Sequence, residues 1–244
     1  MKQTLPHVIL LGCGRSGTSI FGELFDHFPD YQYYSEPSYE IIKDLDFTIP
    51  TAIKVPKSHP EFSPTTGLSF PLDDLIKTIN QPIKWYWQVR HPLDTICSLR
   101  VGIAKNWGHH PRPEDWKEWL NRPLLEQCAH HWNYINTFSY AAVKDLVQIK
   151  HFEQMIDDAY TFAVQIAQEI GVDVSKNKAV LQTWANRVQN TNNEQFVEAK
   201  TSRAYSTKDH QVRVERWREN LSKGEVAQLI PMVRETAEDF GYKF

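Results

Sequence analysis

Two clusters of residues in this chain have the types and spacing needed to hold anions. The first is Gly12-Cys-Gly-Arg-Ser-Gly-Thr-Ser19. Its glycines let the backbone turn sharply and aim several N–H groups into one concavity, and a helix running on from Ser19 adds its partial positive charge. Arg15 supplies a permanent, forked cation. The second is Arg90-His-Pro-Leu-Asp-Thr-Ile-Cys-Ser98. An arginine at a strand end, followed by a helix that carries a serine, can grip a phosphate from two sides. Between the two lie a carboxylate, Glu36 in Ser35-Glu-Pro37, and a cation, Lys54 in Ile53-Lys-Val-Pro56.

The first cluster imitates the loop GxxxxGK[ST] of nucleoside triphosphatases. Gly12 and Gly17 fit it, but Thr18 stands where that loop needs its lysine, and the cation has moved upstream to Arg15. A P-loop kinase or NTPase would also need an acidic Mg²⁺ site at the end of an apolar strand. The run Ile83–Val89 ends instead in Arg90, the wrong sign for a metal.

The elements that position these residues follow from the hydrophobic pattern. His7–Leu11 reads as a buried strand, and Ile20, Leu24, Phe25 and Phe28 then take helical spacing. Tyr31–Tyr34, Ala52–Val55, Ile83–Val89 and Leu146–Lys150 read as further strands, with helices over Leu72–Asn80 and Leu124–Val143 and one opened by Pro92. Beyond Ile156 the pattern is mainly helical, broken near Thr201–Val214. Alternating strands and helices imply an α/β fold: a doubly wound, mainly parallel sheet of about five strands flanked by helices and similar to that of P-loop NTPases. No repeat or linker divides residues 1–244, so we expect a single domain.

Composition sets the class. The 244 residues are 41% hydrophobic, enough for a sizeable core, and the net charge of -3 argues against a nucleic-acid partner. Cys13, Cys97 and Cys128 form no CxxC pair, which suits free thiols in a reducing compartment. No run reaches the length of a membrane span, so the expected location is the cytoplasm.

The two anion clusters, in this order and each at a strand-to-helix junction, resemble the 5′-phosphosulfate and 3′-phosphate motifs of sulfotransferases dependent on 3′-phosphoadenosine-5′-phosphosulfate (PAPS; product PAP). The resemblance implies that Gly14, Arg15, Ser16, Gly17, Thr18 and Ser19 hold the 5′ end and that Arg90 and Ser98 hold the 3′-phosphate. Asp94 also falls on the pattern. His151-Phe-Glu153 looks like the family's Tyr-Glu-Asp segment, and Arg213-Val-Glu-Arg-Trp217 is similar to the arginine-rich segment that closes over the cofactor. There the family usually has glycine where this chain has Glu215.

The cytosolic aryl and steroid enzymes carry Lys-Thr-His after the third strand, with its histidine as base. Here Pro56 takes the histidine's place, and Lys-x-Pro looks closer to the tyrosylprotein, carbohydrate and bacterial branches, in which a glutamate is the base. The resemblance thus implies Lys54 on the sulfuryl group and Glu36 as general base, its pKa raised by partial burial, with His59 as the second candidate. A carboxylate favouring the next helix's dipole is the plainer reading of Glu36.

The stretch Lys105–Trp119 concentrates Trp107, His109 and Trp116 among polar residues, which suits an acceptor wall or lid formed together with the loop Ser58–Pro71. Packing of these tryptophans onto the domain is the competing reading. Neither the pair His109-His110 nor His130-His131 has metal-ligand spacing, so no metal is expected. The implied reaction moves a sulfuryl group from PAPS to a hydroxyl or amine of a small-molecule or glycan acceptor, in a monomer or homodimer. The alternatives are a P-loop nucleotide kinase or NTPase, and a member that only binds an adenosine bisphosphate.

Overall fold

The computed structural model describes residues 5–55, 67–79, 82–188 and 213–244. Strand β1 (His7–Gly12) turns Ile9 and Leu11 to one core, Val8 and Leu10 to another. A strand buried on both faces has no polar side to show, which is why it reads as an unbroken apolar run. The same holds for β4 (Ile83–Val89), with Trp85, Trp87 and Val89 on one side and Tyr86 on the other. Trp85 and Trp87 are therefore core residues.

Between these strands lie α1 (Thr18–Asp26), β2 (Gln32–Ser35), α2 (Tyr39–Lys43), β3 (Thr51–Lys54) and α3 (Leu72–Ile79). After β4 come α4 (Pro92–Ile103), α5 (Trp116–Trp119), α6 (Leu124–Tyr134), a π-helical turn Ile135–Ser139, and β5 (Val147–His151). Then follow α7 (Phe152–Asp157), α8 (Ala159–Glu169), α9 (Lys178–Arg187), α10 (Trp217–Asn220) and α11 (Lys223–Asp239). The five strands pair in the order β2-β3-β1-β4-β5, and every pairing is parallel. Helices α3, α4, α6 and α11 cover one face, α1, α8 and α9 the other. The sheet is doubly wound, as the alternation of elements implied.

The chain leaves β1 toward β2, returns through β3 beside β1, and then crosses to β4 on the far side. That reversal opens a crevice at the carboxyl ends of β1, β3 and β4. The loop after β1, Glu36 after β2, Lys54 ending β3 and Arg90 after β4 all lie at this edge.

Two local readings change. Helix Leu124–Val143 keeps α geometry only to Tyr134 and then widens into the π turn. There Asn136 accepts from Trp87 Nε1 at 3.1 Å and donates to the Trp132 carbonyl at 2.9 Å, tying the turn to the sheet. Helix α2 was not anticipated. It is one short turn, started by Ser38, whose Oγ accepts from Ile41 N.

Candidate active site

The loop Cys13–Gly17 closes through a bond from Ser16 N to Cys13 O at 3.1 Å. Gly17 caps α1 at φ 89°, and a Cβ there would run into the Phe152 ring, so only glycine fits. No side chain caps α1, which leaves its first-turn N–H groups facing the crevice. Ser16 Oγ is buried with no hydrogen-bond partner among the described residues.

The loop after β1 and the segment after β4 meet. Arg15 Nε donates to Ser98 Oγ at 3.2 Å, and Arg90 Nη1 donates to the Arg15 carbonyl at 3.3 Å. Arg90 lies over the Phe152 ring, 4.3 Å from its centroid, and its Nη2 donates to the Arg213 carbonyl at 2.6 Å. The segment after β5 thus supports both motifs. Glu153 extends that support, accepting from His91 N at 2.9 Å and from Tyr242 OH at 2.8 Å.

Asp94, completely buried, accepts from Glu215 N at 2.8 Å and Trp217 N at 2.9 Å. It thereby folds the arginine-rich segment back over α4. Glu215 adopts φ 61°, a left-handed conformation in which glycine is at ease. Its carboxylate makes a two-point ion pair with the Arg218 guanidinium.

Folding the segment back brings Arg213 and Arg216 to Arg90. Burial and the neighbouring arginines push Arg213 and Arg216 down to about 10, with Arg15 among the groups acting on Arg216. Arg90 Nε and Arg216 Nε are buried without a hydrogen-bond partner among the described residues. Cations crowded together with orphaned donors fit a phosphorylated ligand, whose oxygens would satisfy both. Sequence reasoning missed Arg216, although the arginine-rich run around Trp217 was its signal. The faces of Trp217 are taken by His91, stacked at 5.9 Å, and by the Arg218 guanidinium at 4.5 Å.

Lys54 is buried at 2% exposure, and its Nζ donates to Glu36 Oε1 at 2.6 Å and Ser19 Oγ at 3.0 Å. Glu36 N bonds the Lys54 carbonyl at 2.8 Å, while Glu36 and Val55 adopt φ 54° and 42°. A left-handed β-branched residue is a strained one, of the kind that gathers at ligand sites. Glu36 is half exposed, its side chain keeping 51% exposure, and a cation faces it rather than an apolar wall. Pro56, Lys57 and His59 lie outside the described residues, as does the loop from Ser58 to residue 66.

The aromatic segment corrects one expectation. Trp107 is fully buried and its Nε1 donates to His131 Nδ1 at 3.2 Å, so it packs the core rather than walling an acceptor pocket. Trp116 is half-buried beneath the Arg112 guanidinium at 4.4 Å. Trp119 stacks on His130, centroids 4.0 Å apart, while Asp115 bonds both rings. His109 reaches the loop after β1, beside Gly14. Arg100 bonds Asn220 of α10. Among the described residues no cluster of His, Cys, Asp and Glu is arranged to hold a metal ion, and no helix is long and apolar enough to cross a membrane.

Fold and site together define a doubly wound α/β protein with arginines and a buried lysine gathered at the carboxyl edge of its sheet. No family model and no curated protein matches the chain. Solved structures match it in fold. The mouse sulfotransferase SULT7A1 complexed with PAP is 15% identical, with TM-score 0.58 over 96% of this chain and 84% of that one. Retinol dehydratase in complex with androsterone and inactive cofactor PAP is 14% identical, with TM-score 0.56 over 99% and 84%. The sulfotransferase domain of the Synechococcus PCC 7002 olefin synthase is 13% identical, with TM-score 0.55 over 100% and 98%. The chain has the fold of PAPS-dependent sulfotransferases.

Proposed function

We propose that this chain is a sulfotransferase that moves a sulfuryl group from PAPS to a hydroxyl or amine of a small-molecule or glycan acceptor. The observation that carries the reading is the bond from Arg15 to Ser98. It joins the loop after β1 to the motif after β4, so that one ligand with phosphates at both ends can touch both. That two structures of this fold contain PAP supports the choice of ligand.

When bound, PAPS supplies the sulfuryl group and a nucleotide phosphate as leaving group. Ser16–Ser19 and the N-terminus of α1 receive the 5′ end, with Arg15 neutralising charge. Arg90, Arg213, Arg216 and Ser98 receive the 3′-phosphate. Lys54, held between Glu36 and Ser19, stabilises charge that develops on the transferred group. Glu36, half exposed at the crevice mouth, takes the acceptor's proton. Cationic side chains do the neutralising that a metal does elsewhere. The three free, buried cysteines suit a reducing, cytoplasmic setting.

A ligand that binds only the folded state raises the melting temperature. PAP is expected to raise it by several degrees, and ATP with Mg²⁺ by less. A larger shift with ATP·Mg²⁺ would favour a nucleotide kinase. A PAP shift without radiolabel transfer from PAPS to any tested acceptor would mark a binding protein only.

A further inference from the structure

His109 lies on the segment after α4, and its ring is wedged between Gly14 of the loop after β1 and Gly102 of α4. A Cβ on Gly14, in the loop after β1, would sit 2.9 Å from His109 Nδ1, and a Cβ on Gly102 of α4 would run into Nε2. Neither ring nitrogen has a hydrogen-bond partner among the described residues. Behind it stands His131, centroids 5.8 Å apart, completely buried. His131 Nδ1 accepts from Trp107, so the neutral ring keeps its proton on Nε2.

The charged groups around His109 fix its protonation state. Burial weighs most against a charged ring, Arg15 of the loop and His110 of its own segment add to it, and Glu36 opposes them. Burial and Arg15 push His109 down to about 4. It stays neutral at physiological pH, so it is a poor proton acceptor but a sound hydrogen-bond donor, and its Nδ1 edge borders the loop assigned to the 5′-phosphosulfate.

We propose that His109 is a catalytic residue of this site, a neutral imidazole whose Nδ1–H donates a hydrogen bond to an oxygen of the transferred sulfuryl group. The proposal rests on the sulfotransferase reading. In the transfer, the bond from sulfur to the nucleotide phosphate oxygen breaks and a bond from sulfur to the acceptor oxygen or nitrogen forms. The acceptor's proton passes to Glu36, PAP leaves with the bonding pair, and nothing is oxidised or reduced. His109 gives up no proton and serves by stabilising charge on the sulfuryl oxygens.

The test needs no acceptor, because PAPS carries the sulfuryl group and PAP lacks it. Dissociation constants for both are measured calorimetrically on the full chain, at pH 6 and pH 8, for wild type, His109→Gln and His109→Phe. Phenylalanine fills the wedge without a donor, and glutamine restores a neutral donor. The expected result is PAPS binding weakened about tenfold in His109→Phe, PAP binding unchanged within about twofold, PAPS binding recovered in His109→Gln, and the same pattern at both pH values. Equal weakening of PAP and PAPS, or no weakening of either, would overturn the role of His109 while leaving the sulfotransferase reading intact. A wild-type chain that binds neither ligand would overturn both.

Discussion

Lys54 Nζ and Glu36 Oε1 lie 2.6 Å apart at the carboxyl ends of neighbouring strands, one group buried and the other half exposed. The pairing follows from the sheet, whose register sets Ser35 beside Lys54 and so delivers the next residue to the lysine's head. If Glu36 is the base, Glu36→Gln keeps the shape and a hydrogen bond but cannot take a proton. Turnover should fall by roughly 10²–10⁴-fold. PAP affinity, measured by calorimetry, should change less than about twofold. Unchanged turnover would move the base elsewhere.

Asp94 tests how the arginine-rich segment is held. Asp94→Asn removes the charge facing Arg90 and turns one of two acceptors into a donor aimed at a backbone N–H. Stability should drop by roughly 1–3 kcal/mol in urea denaturation. Amide exchange should quicken at Glu215 and Trp217, and PAP affinity should fall because Arg213 and Arg216 lose their position.

Glu215 sits at φ 61° where a glycine is at ease. A left-handed side chain costs about 1–2 kcal/mol, partly offset by the extra entropy of glycine in the unfolded chain. The exposed pair with Arg218 contributes little in return. Glu215→Gly should therefore raise stability slightly, by about 0.5 kcal/mol, in a denaturant titration. A clear loss would show that the pair with Arg218 matters more than the backbone.

Acid should weaken the fold through its buried histidines. His109 is pushed down to about 4, and His131 is held well below its ordinary value, in both cases chiefly by burial. The unfolded chain protonates these residues near 6.5 and the folded chain does so only at lower pH. Below about 6.5 the unfolded state thus binds more protons, and stability must fall as pH drops. The stabilising share is complete above that pH, and for His109 the decline ends near its folded value. Each such histidine contributes up to about 1.4 kcal/mol per pH unit, so His109→Gln should flatten the profile between pH 6.5 and 4.

The strands were legible because burial on both faces of a parallel sheet leaves continuous apolar runs, as in Val8–Leu11. Arg15, Ser16 and Arg90 stood out because they sit at strand-to-helix junctions, and Ser98 because it follows Arg90 on the helix that starts there. Backbone conformations were not: nothing in a Glu, a Val or an Arg announces the positive φ taken by Glu36, Val55, Glu215 and Arg15. Trp107 misled because a tryptophan among polar neighbours looks the same whether it faces solvent or, as here, is buried against His131. Arg216 was overlooked because its approach to Arg90 depends on Asp94 folding a distant segment back, a long-range bond that no local pattern encodes.

The central claim is that one adenosine bisphosphate bridges the loop after β1 and the arginines after β4. A crystal structure with PAP tests it directly. The account predicts the 5′-phosphate within about 3 Å of the backbone N–H groups of Gly17–Ser19, and the 3′-phosphate at like distance from Arg90, Ser98 and Arg216. PAP bound elsewhere, or with its 3′-phosphate in solvent away from these arginines, would contradict it.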